Sequence, residues 1–282
     1  MSAAYRLNRM FHQRSGRCID VAVDHGLFGE PSFLSGIEDM RAAIDTLAAA
    51  QPDAIQLALG QAPLLQSRPG REKSALVLRV DVANVYGPAP PPDPFSALVD
   101  DPLGHAVRLD AACVCVNLLD VPGLDGLRRQ CLDNVSALRT ACERAGMPLM
   151  VEPLAMRPTP EEGGAAYGVD GDPERIVPLV RQAAELGADV IKADPTDDLS
   201  DYARIVTAAR VPVLVRGGGR VGDEELLRRT HAVLEQGAAG IVYGRNVIQH
   251  PNPAAMVGAL RAVVHEGADP EEGARVLAGA AE

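Results

Sequence analysis

The chain has no tryptophan, 3% aromatic residues, and only two lysines among its 27 basic side chains. Without large rings its core must be aliphatic and alanine-rich, and 47% of its 282 residues are hydrophobic. No apolar run reaches the ~18 uncharged residues of a membrane helix, and the N-terminal residues lack the apolar stretch of a secretion signal. A basic excess is missing too. The net charge of −11 and pI of about 5.0 argue against nucleic acid or an anionic membrane as partner. Five cysteines (Cys18, Cys113, Cys115, Cys131, Cys142) form no C-x-x-C pair and no zinc spacing. An odd count without an export signal predicts a reducing, cytoplasmic setting. Cys113 and Cys115 alternate on an apparent strand, so they are expected to face the same side.

What is present is a rhythm. Short runs rich in Val, Ile, Leu and Cys alternate with longer amphipathic segments, the pattern of repeated βα units around a parallel sheet. Eight strands are predicted, at Cys18–Asp24, Ala54–Leu59, Ala75–Val82, Ala112–Leu118, Pro148–Leu154, Val190–Asp194, Val213–Arg216 and Gly240–Gly244. The clearest helices are Ile37–Ala50, Leu124–Ala145, Pro173–Leu186, Asp198–Ala208, Asp223–Gln236 and Pro253–Val264, several closed by a glycine (Gly146, Gly187, Gly237). This predicts α/β architecture, a single (β/α)8 TIM barrel over residues 1–282. Its core covers about residues 18–265, followed by a short acidic tail at 267–282. A doubly wound open sheet is the alternative, but no G-x-G-x-x-G follows the first strand. Two long loops interrupt the rhythm, the proline-rich Gly87–Pro94 and the glycine-rich Arg157–Asp172. Both follow strand C-termini, and the second is expected to act as a lid.

One of the two lysines, Lys192, lies inside the apolar sixth strand, Val190-Ile191-Lys192-Ala193-Asp194. Unlike arginine, lysine can lose its proton and attack a carbonyl as a neutral amine. Its free pKa of about 10.4 could fall by up to ~3–5 units on burial. A buried ion pair with Asp194 or Glu152 is the other reading, and this segment alone does not choose. Asp24 ends the first strand and Glu152 sits in the fifth. Each is a carboxylate in an apolar run, costly unless paired or placed in a polar mouth. The last two strands run into Arg216-Gly217-Gly218-Gly219-Arg220 and Tyr243-Gly244-Arg245-Asn246. Glycines there admit backbone N–H groups close to a phosphate, with Arg216 and Arg245 as counter-cations. His25 is expected to hydrogen-bond Asp24 and to line the substrate site, and Asn117 to bind a substrate hydroxyl. Arg79 and Asp81 read as a barrel ion pair.

Taken together, Val-Asp-His-Gly after strand one, Val-Ile-Lys on strand six, the triple glycine on strand seven and Gly-Ile-Val-Tyr-Gly-Arg-Asn-Val on strand eight resemble a known family. It is the class I aldolases of the archaeal fructose-bisphosphate and deoxyribose-phosphate aldolase type. The likeness spans roughly residues 18–265. It implies a Schiff base on Lys192, with Asp24 organising that lysine and its proton transfers. It also implies a substrate phosphate held at Gly218, Gly219, Gly244 and Arg245. Archaeal members carry a strand-five tyrosine as acid/base. This chain reads Val151-Glu152-Pro153-Leu154, closer to the tagatose-bisphosphate type with its strand-five glutamate. Relatives are homo-oligomers, so the resemblance implies a homo-oligomer here, with a small phosphorylated sugar as the other partner.

The expected reaction is therefore aldol cleavage or formation in a phosphorylated ketose, releasing dihydroxyacetone phosphate and an aldehyde, with neither metal nor cofactor. Glu152 is the expected base at the C4 hydroxyl, and Tyr167 and Tyr243 are further candidates. A metal aldolase would want several histidines at the mouth, yet only His25 ends a strand, the other five falling on helices or loops. A transaldolase- or thiolase-like transferase, or a non-catalytic phosphosugar-binding regulator, are the remaining alternatives.

Overall fold

The computed structural model describes residues 2–70, 73–87, 89–159 and 167–280. Eight parallel strands form its centre: β1 (Cys18–Ala22), β2 (Ala54–Ala58), β3 (Ala75–Arg79), β4 (Cys113–Asp120), β5 (Leu149–Pro158), β6 (Val190–Ala193), β7 (Val213–Arg216) and β8 (Gly240–Tyr243). Each pairs with the next, and β8 returns to β1 through the register Cys18↔Gly240 to Val21↔Tyr243. The sheet is closed, the (β/α)8 barrel that the βα rhythm predicts.

Strand pleating sorts the side chains into two apolar layers. Ile19, Val21, Leu76, Leu78, Val114, Val116, Val151, Ile191, Val215 and Ile241 face outward and pack against helix residues such as Ile44, Leu47, Leu138 and Leu260. Their neighbours Cys18, Ala22, Ala54, Val77, Cys113, Cys115, Met150, Val190, Leu214 and Val242 face the lumen, where Met10 plugs the N-terminal end. The two cysteines of β4 thus share the inward face. With so few aromatic side chains, this inner layer is made of small aliphatic and sulfur-bearing groups.

Helix boundaries follow local chemistry. Asp39, Asp172, Asn252 and Asp269 cap the N-termini of helices at Met40–Ala50, Pro173–Glu185, Pro253–Arg261 and Pro270–Gly279, each side chain accepting a bond from a first-turn N–H. Gly146, Gly187 and Gly237 all take positive φ just after helices, as expected. The acidic tail is therefore helical over Pro270–Gly279, against helix Asp223–Glu235.

Several boundaries differ from the sequence pattern, three of them by a change of structure near the strand ends. The third strand breaks at Val80, because Asp81–Ala83 leaves the barrel to form a hairpin with Ser96–Leu98 that carries most of the proline-rich loop. β5 runs on to Pro158 and pairs antiparallel with Tyr167–Val169, so the two ends of the expected lid form a hairpin. Its residues 160–166, and Pro88 of the proline-rich loop, lie outside the described residues. The helix after β6 opens with a 3-10 turn, Leu199–Asp201, before Tyr202–Ala209.

Candidate active site

The same pleat builds the site. Two positions beyond the last apolar lumen residue of each strand stands a polar residue or a glycine: Asp24 after Ala22, Gln56 after Ala54, Arg79 after Val77, Asn117 after Cys115, Glu152 after Met150, Lys192 after Val190, Arg216 after Leu214 and Gly244 after Val242. The lumen therefore turns from apolar to charged toward the strand C-termini, the end where barrels of this kind carry their chemistry.

Lys192 is only 4% exposed. Its Nζ lies 3.1 Å from Glu152 Oε2 and donates at 3.5 Å to Gln56 Oε1. Arg79 is the hub: Nε donates to Asp24 Oδ2 at 2.7 Å, one terminal nitrogen to Asp81 Oδ1 at 3.2 Å, and the other to Glu152 Oε2. Gln56 Nε2 donates to the same Asp24 oxygen at 2.6 Å, so Asp24 reaches Lys192 through Gln56. Arg216 holds Asp194 through two contacts of 3.0 Å and lies 3.4 Å from Glu152 Oε1.

Burial alone would push the Glu152 carboxyl up. Lys192, Arg79 and Arg216 outweigh it and bring the pKa down to about 2. The same contest, won mainly by Arg79, holds Asp24 well below the usual carboxylate range. For Lys192 the outcome is the ion pair that the sequence left open beside a lowered pKa, with Glu152 as its partner. Burial pulls its pKa down and Arg79 adds to that, but Glu152 foremost and Asp24 further off leave it above the ordinary lysine value. The resting side chain is an ammonium ion. The segment alone did not choose because the charge depends on which carboxylates barrel closure brings around the amine.

Above Lys192 opens a cleft walled by Asp24, His25, Phe28, Phe33, Arg79, Tyr86, Glu152, Arg216, Gly217, Gly218, Gly244, Arg245 and Asn246. The glycine turn after β7 is pinned from behind. Arg229 donates to Gly217 O at 2.9 Å, and Asn246 Nδ2 reaches Gly217 O and Gly219 O at 3.3 Å. In a trans peptide the N–H points opposite the carbonyl, so tying back Gly217 O turns the Gly218 N–H the other way. Gly218 takes φ +60, a left-handed conformation open to glycine. At Gly244 the demand is space: a Cβ there would run into the His25 ring and come within 3.0 Å of Ala22 O. Arg245 stacks 4.6 Å over Phe33 and, among the described residues, has no carboxylate partner.

Most of the expected site residues thus meet in one cleft, with differences. Asn117 is fully buried beside Asp81, to which its amide donates at 2.8 Å, and does not line the cleft. Gly219 lines a neighbouring groove with Pro195 and Arg228 instead. His25 makes no bond to Asp24, whose acceptor is taken by Arg79 and Gln56. Its Nδ1 is buried without a partner among the described residues, and burial lowers its pKa to about 4. Arg216 lies on the wall but is engaged by Asp194. Tyr243 turns outward to Thr230, 2.9 Å away, and Tyr167 lies on the hairpin beyond β5. Gln56, Tyr86, Phe28 and Phe33 were not singled out. The signal was there for the last three, since two of only four phenylalanines and one of five tyrosines fall just after β1 and β3. Among the described residues, no three His, Cys, Asp or Glu side chains converge on a metal-sized site, and no helix is long and apolar enough to cross a membrane.

Comparison with known proteins gives the family. The chain is 31% identical over 276 residues to an uncharacterized aldolase of Saccharolobus solfataricus, covering 96% of this chain and 97% of the relative. It is 31% identical over 279 residues to the 2-amino-4,5-dihydroxy-6-oxo-7-(phosphonooxy)heptanoate synthase of Streptomyces griseus, covering 98% and 94%. Among solved structures, a Schiff-base-forming fructose-1,6-bisphosphate aldolase superposes with a TM-score of 0.77 at 25% identity, covering 94% of this chain and 100% of that one. The model of the DeoC/LacD family aldolases matches residues 18–250. The chain belongs to the DeoC/LacD aldolase family and is an aldolase-type lyase.

Proposed function

We propose that this chain makes or breaks a carbon–carbon bond in a phosphorylated ketose through an imine on Lys192, with dihydroxyacetone phosphate as the ketone fragment. The observation that carries the reading is one cleft holding a buried lysine against a carboxylate, a pinned glycine turn and an arginine without an acid partner among the described residues. The name of the Streptomyces griseus relative, a 6-oxo-7-(phosphonooxy) acid synthase, supports a ketone next to a phosphate.

In this reading the phosphate lies against Gly217, Gly218, Gly244 and Arg245, which sets the adjacent carbonyl over Lys192. The minor neutral form of the amine attacks that carbonyl, and the carbinolamine loses water to give an iminium ion. The resting electrostatics then acquire a purpose. Glu152 and Asp24, which keep the amine protonated, surround the same nitrogen with negative charge when it becomes an iminium cation. Glu152, 3.1 Å from Nζ, relays protons at that nitrogen and at the departing hydroxyl. With three cations on it, it is a poor base for the more distant C4 hydroxyl, the part the sequence had suggested. Asp24 fixes Gln56 and Arg79, and through them the lysine.

The test is reduction with cyanoborohydride in the presence of dihydroxyacetone phosphate, followed by intact mass and peptide mapping. The expected result is one adduct, on Lys192. Lys192→Arg should lose both adduct and turnover while keeping its circular dichroism. An adduct on another residue, or none, rejects the reading.

A further inference from the structure

The condensation step needs a proton for the aldehyde oxygen, and among the described residues the carboxylates in and beside the cleft are occupied. Glu152 faces Lys192, Arg79 and Arg216, Asp24 is bonded to Arg79 and Gln56, and Asp194 is held by Arg216. Among the described residues, two uncharged side chains able to give up a proton remain on the wall, His25 and Tyr86. His25 packs against Gly244 and Phe33, at the glycine–arginine end that the phosphate takes. Tyr86 stands elsewhere. It comes from the turn after the short strand Asp81–Ala83, and its ring is clamped edge-on by Phe28 at 5.0 Å and Phe33 at 5.2 Å. The clamp fixes the ring, and the hydroxyl makes no hydrogen bond among the described residues. The charges it feels are those of Arg216, Glu152, Asp194 and Arg79, the groups beside Lys192. A rigid phenol aimed into a cleft with its oxygen unpartnered is a donor waiting for an acceptor.

We infer that Tyr86 is a catalytic residue that donates its hydroxyl proton to the aldehyde oxygen as the new carbon–carbon bond forms. This rests on the imine at Lys192 proposed above. The enamine of the ketone fragment places its C=C electron pair on the aldehyde carbon, forming the bond. The C=O π pair moves onto the aldehyde oxygen, which takes the Tyr86 proton and becomes a hydroxyl. The lysine nitrogen is left as an iminium cation and Tyr86 as a phenolate beside Arg216 and Arg79. Water then adds to the iminium carbon and its proton returns to Tyr86, giving a neutral carbinolamine and a neutral phenol. Burial raises the phenol's pKa, which keeps it protonated before the step.

The experiment compares wild type with Tyr86→Phe, which keeps the ring and its clamp and removes only the hydroxyl. Cyanoborohydride trapping of dihydroxyacetone phosphate measures the imine. Condensation of the same ketone with glycolaldehyde, glyceraldehyde and glyceraldehyde 3-phosphate measures the bond-forming step. Trapping is expected within about threefold of wild type. Condensation should fall by ~10²–10⁴-fold in kcat, the range of general acid catalysis, with little change in the ketone's KM. Tyr86→Phe condensing within about threefold of wild type overturns the inference, as does an equal loss of trapping and condensation. A wild-type chain that traps no imine, or condenses none of the three aldehydes, instead overturns the aldol reading beneath it. His25→Asn is the counterpart: its loss should appear in the KM for dihydroxyacetone phosphate. A kcat loss there as large as that expected for Tyr86→Phe would move the proton to His25.

Discussion

Asp20 and Asp24 stand four positions apart on the first strand segment, both facing the lumen, and both are buried. Their chemistry diverges completely. Asp24, at the mouth, accepts from Arg79 and Gln56 and is held as a carboxylate. Asp20, at the floor among Cys18, Ala54 and Val242, has no hydrogen-bond partner on either oxygen among the described residues. Burial drives its pKa to about 7, against the pull of Lys192. Burial is common to the two aspartates, so the donors decide. The mouth of the barrel is a network in which each buried carboxylate has a cation, while the floor holds an acid with none.

Removing the donor from Asp24 should make the mouth resemble the floor. Arg79→Leu would leave Asp24, Asp81 and Glu152 without their shared guanidinium. Breaking a buried network from one side costs about 3–5 kcal/mol, the largest effect expected here. Urea unfolding at pH 7 measures it, and a loss under about 1 kcal/mol would mean that Arg79 is not the hub.

The floor makes the opposite prediction. An aspartate with a pKa of about 7 when folded, against about 3.9 when unfolded, makes the folded state bind the extra proton between those values. Stability attached to that proton is fully present below about pH 4 and is lost as pH rises through 7. Asp20→Asn keeps the shape and removes the titration. It should stabilise the fold above pH 7 by at most about 4 kcal/mol, with the gain shrinking to nothing near pH 4. Thermal melts at pH 4, 6 and 8 decide, and a gain independent of pH would contradict the assignment.

How much of this was legible beforehand follows the same division. Lys192, Asp24, Glu152 and the glycine turns stood out because each is a polar or flexible residue at the end of an apolar run, a purely local signal. The Arg79 hub, the Gln56 bridge and the Asp194–Arg216 pair depend on which strands become neighbours. The charge state of Lys192 depends on how many carboxylates closure gathers around it. Asn117 was misread because alternation gives its face but not its layer, and the turn-out of the chain at Val80 places Asp81 beneath it. Asp20 was passed over as one more strand residue, since no sequence pattern records the absence of a partner.

A cation without an acid sharpens the comparison further. Among the described residues Arg245 resembles Asp20 in lacking a counter-charge, but it opens onto the cleft while Asp20 is sealed. An open unpaired charge is a binding group; a sealed one is a cost. Charge-assisted hydrogen bonds contribute ~1.5–3 kcal/mol, so Arg245→Gln should raise the KM for dihydroxyacetone phosphate by roughly 10- to 150-fold. Its kcat should change far less, because the phosphate does not react. Steady-state kinetics test this, and a fall in kcat with unchanged KM would place Arg245 at the reacting end instead.

Per pH unit, the smallest effect is a slope. Lys192 is protonated at rest because Glu152 and Asp24 outweigh burial, so its reactive neutral form is a minor species that grows tenfold with each pH unit below its pKa. Cyanoborohydride trapping with saturating dihydroxyacetone phosphate should therefore accelerate about tenfold per unit between pH 6 and 9, equivalent to ~1.4 kcal/mol per unit. Glu152→Gln removes the carboxylate 3.1 Å from the amine, which lowers the lysine's pKa and moves the onset of trapping to lower pH. The variant should then trap faster than wild type at pH 6 yet condense more slowly, because the iminium has lost its counter-charge. If Glu152→Gln left the pH profile where it was, the carboxylates would not be what sets the charge of the lysine, and the contrast between mouth and floor would reduce to burial alone.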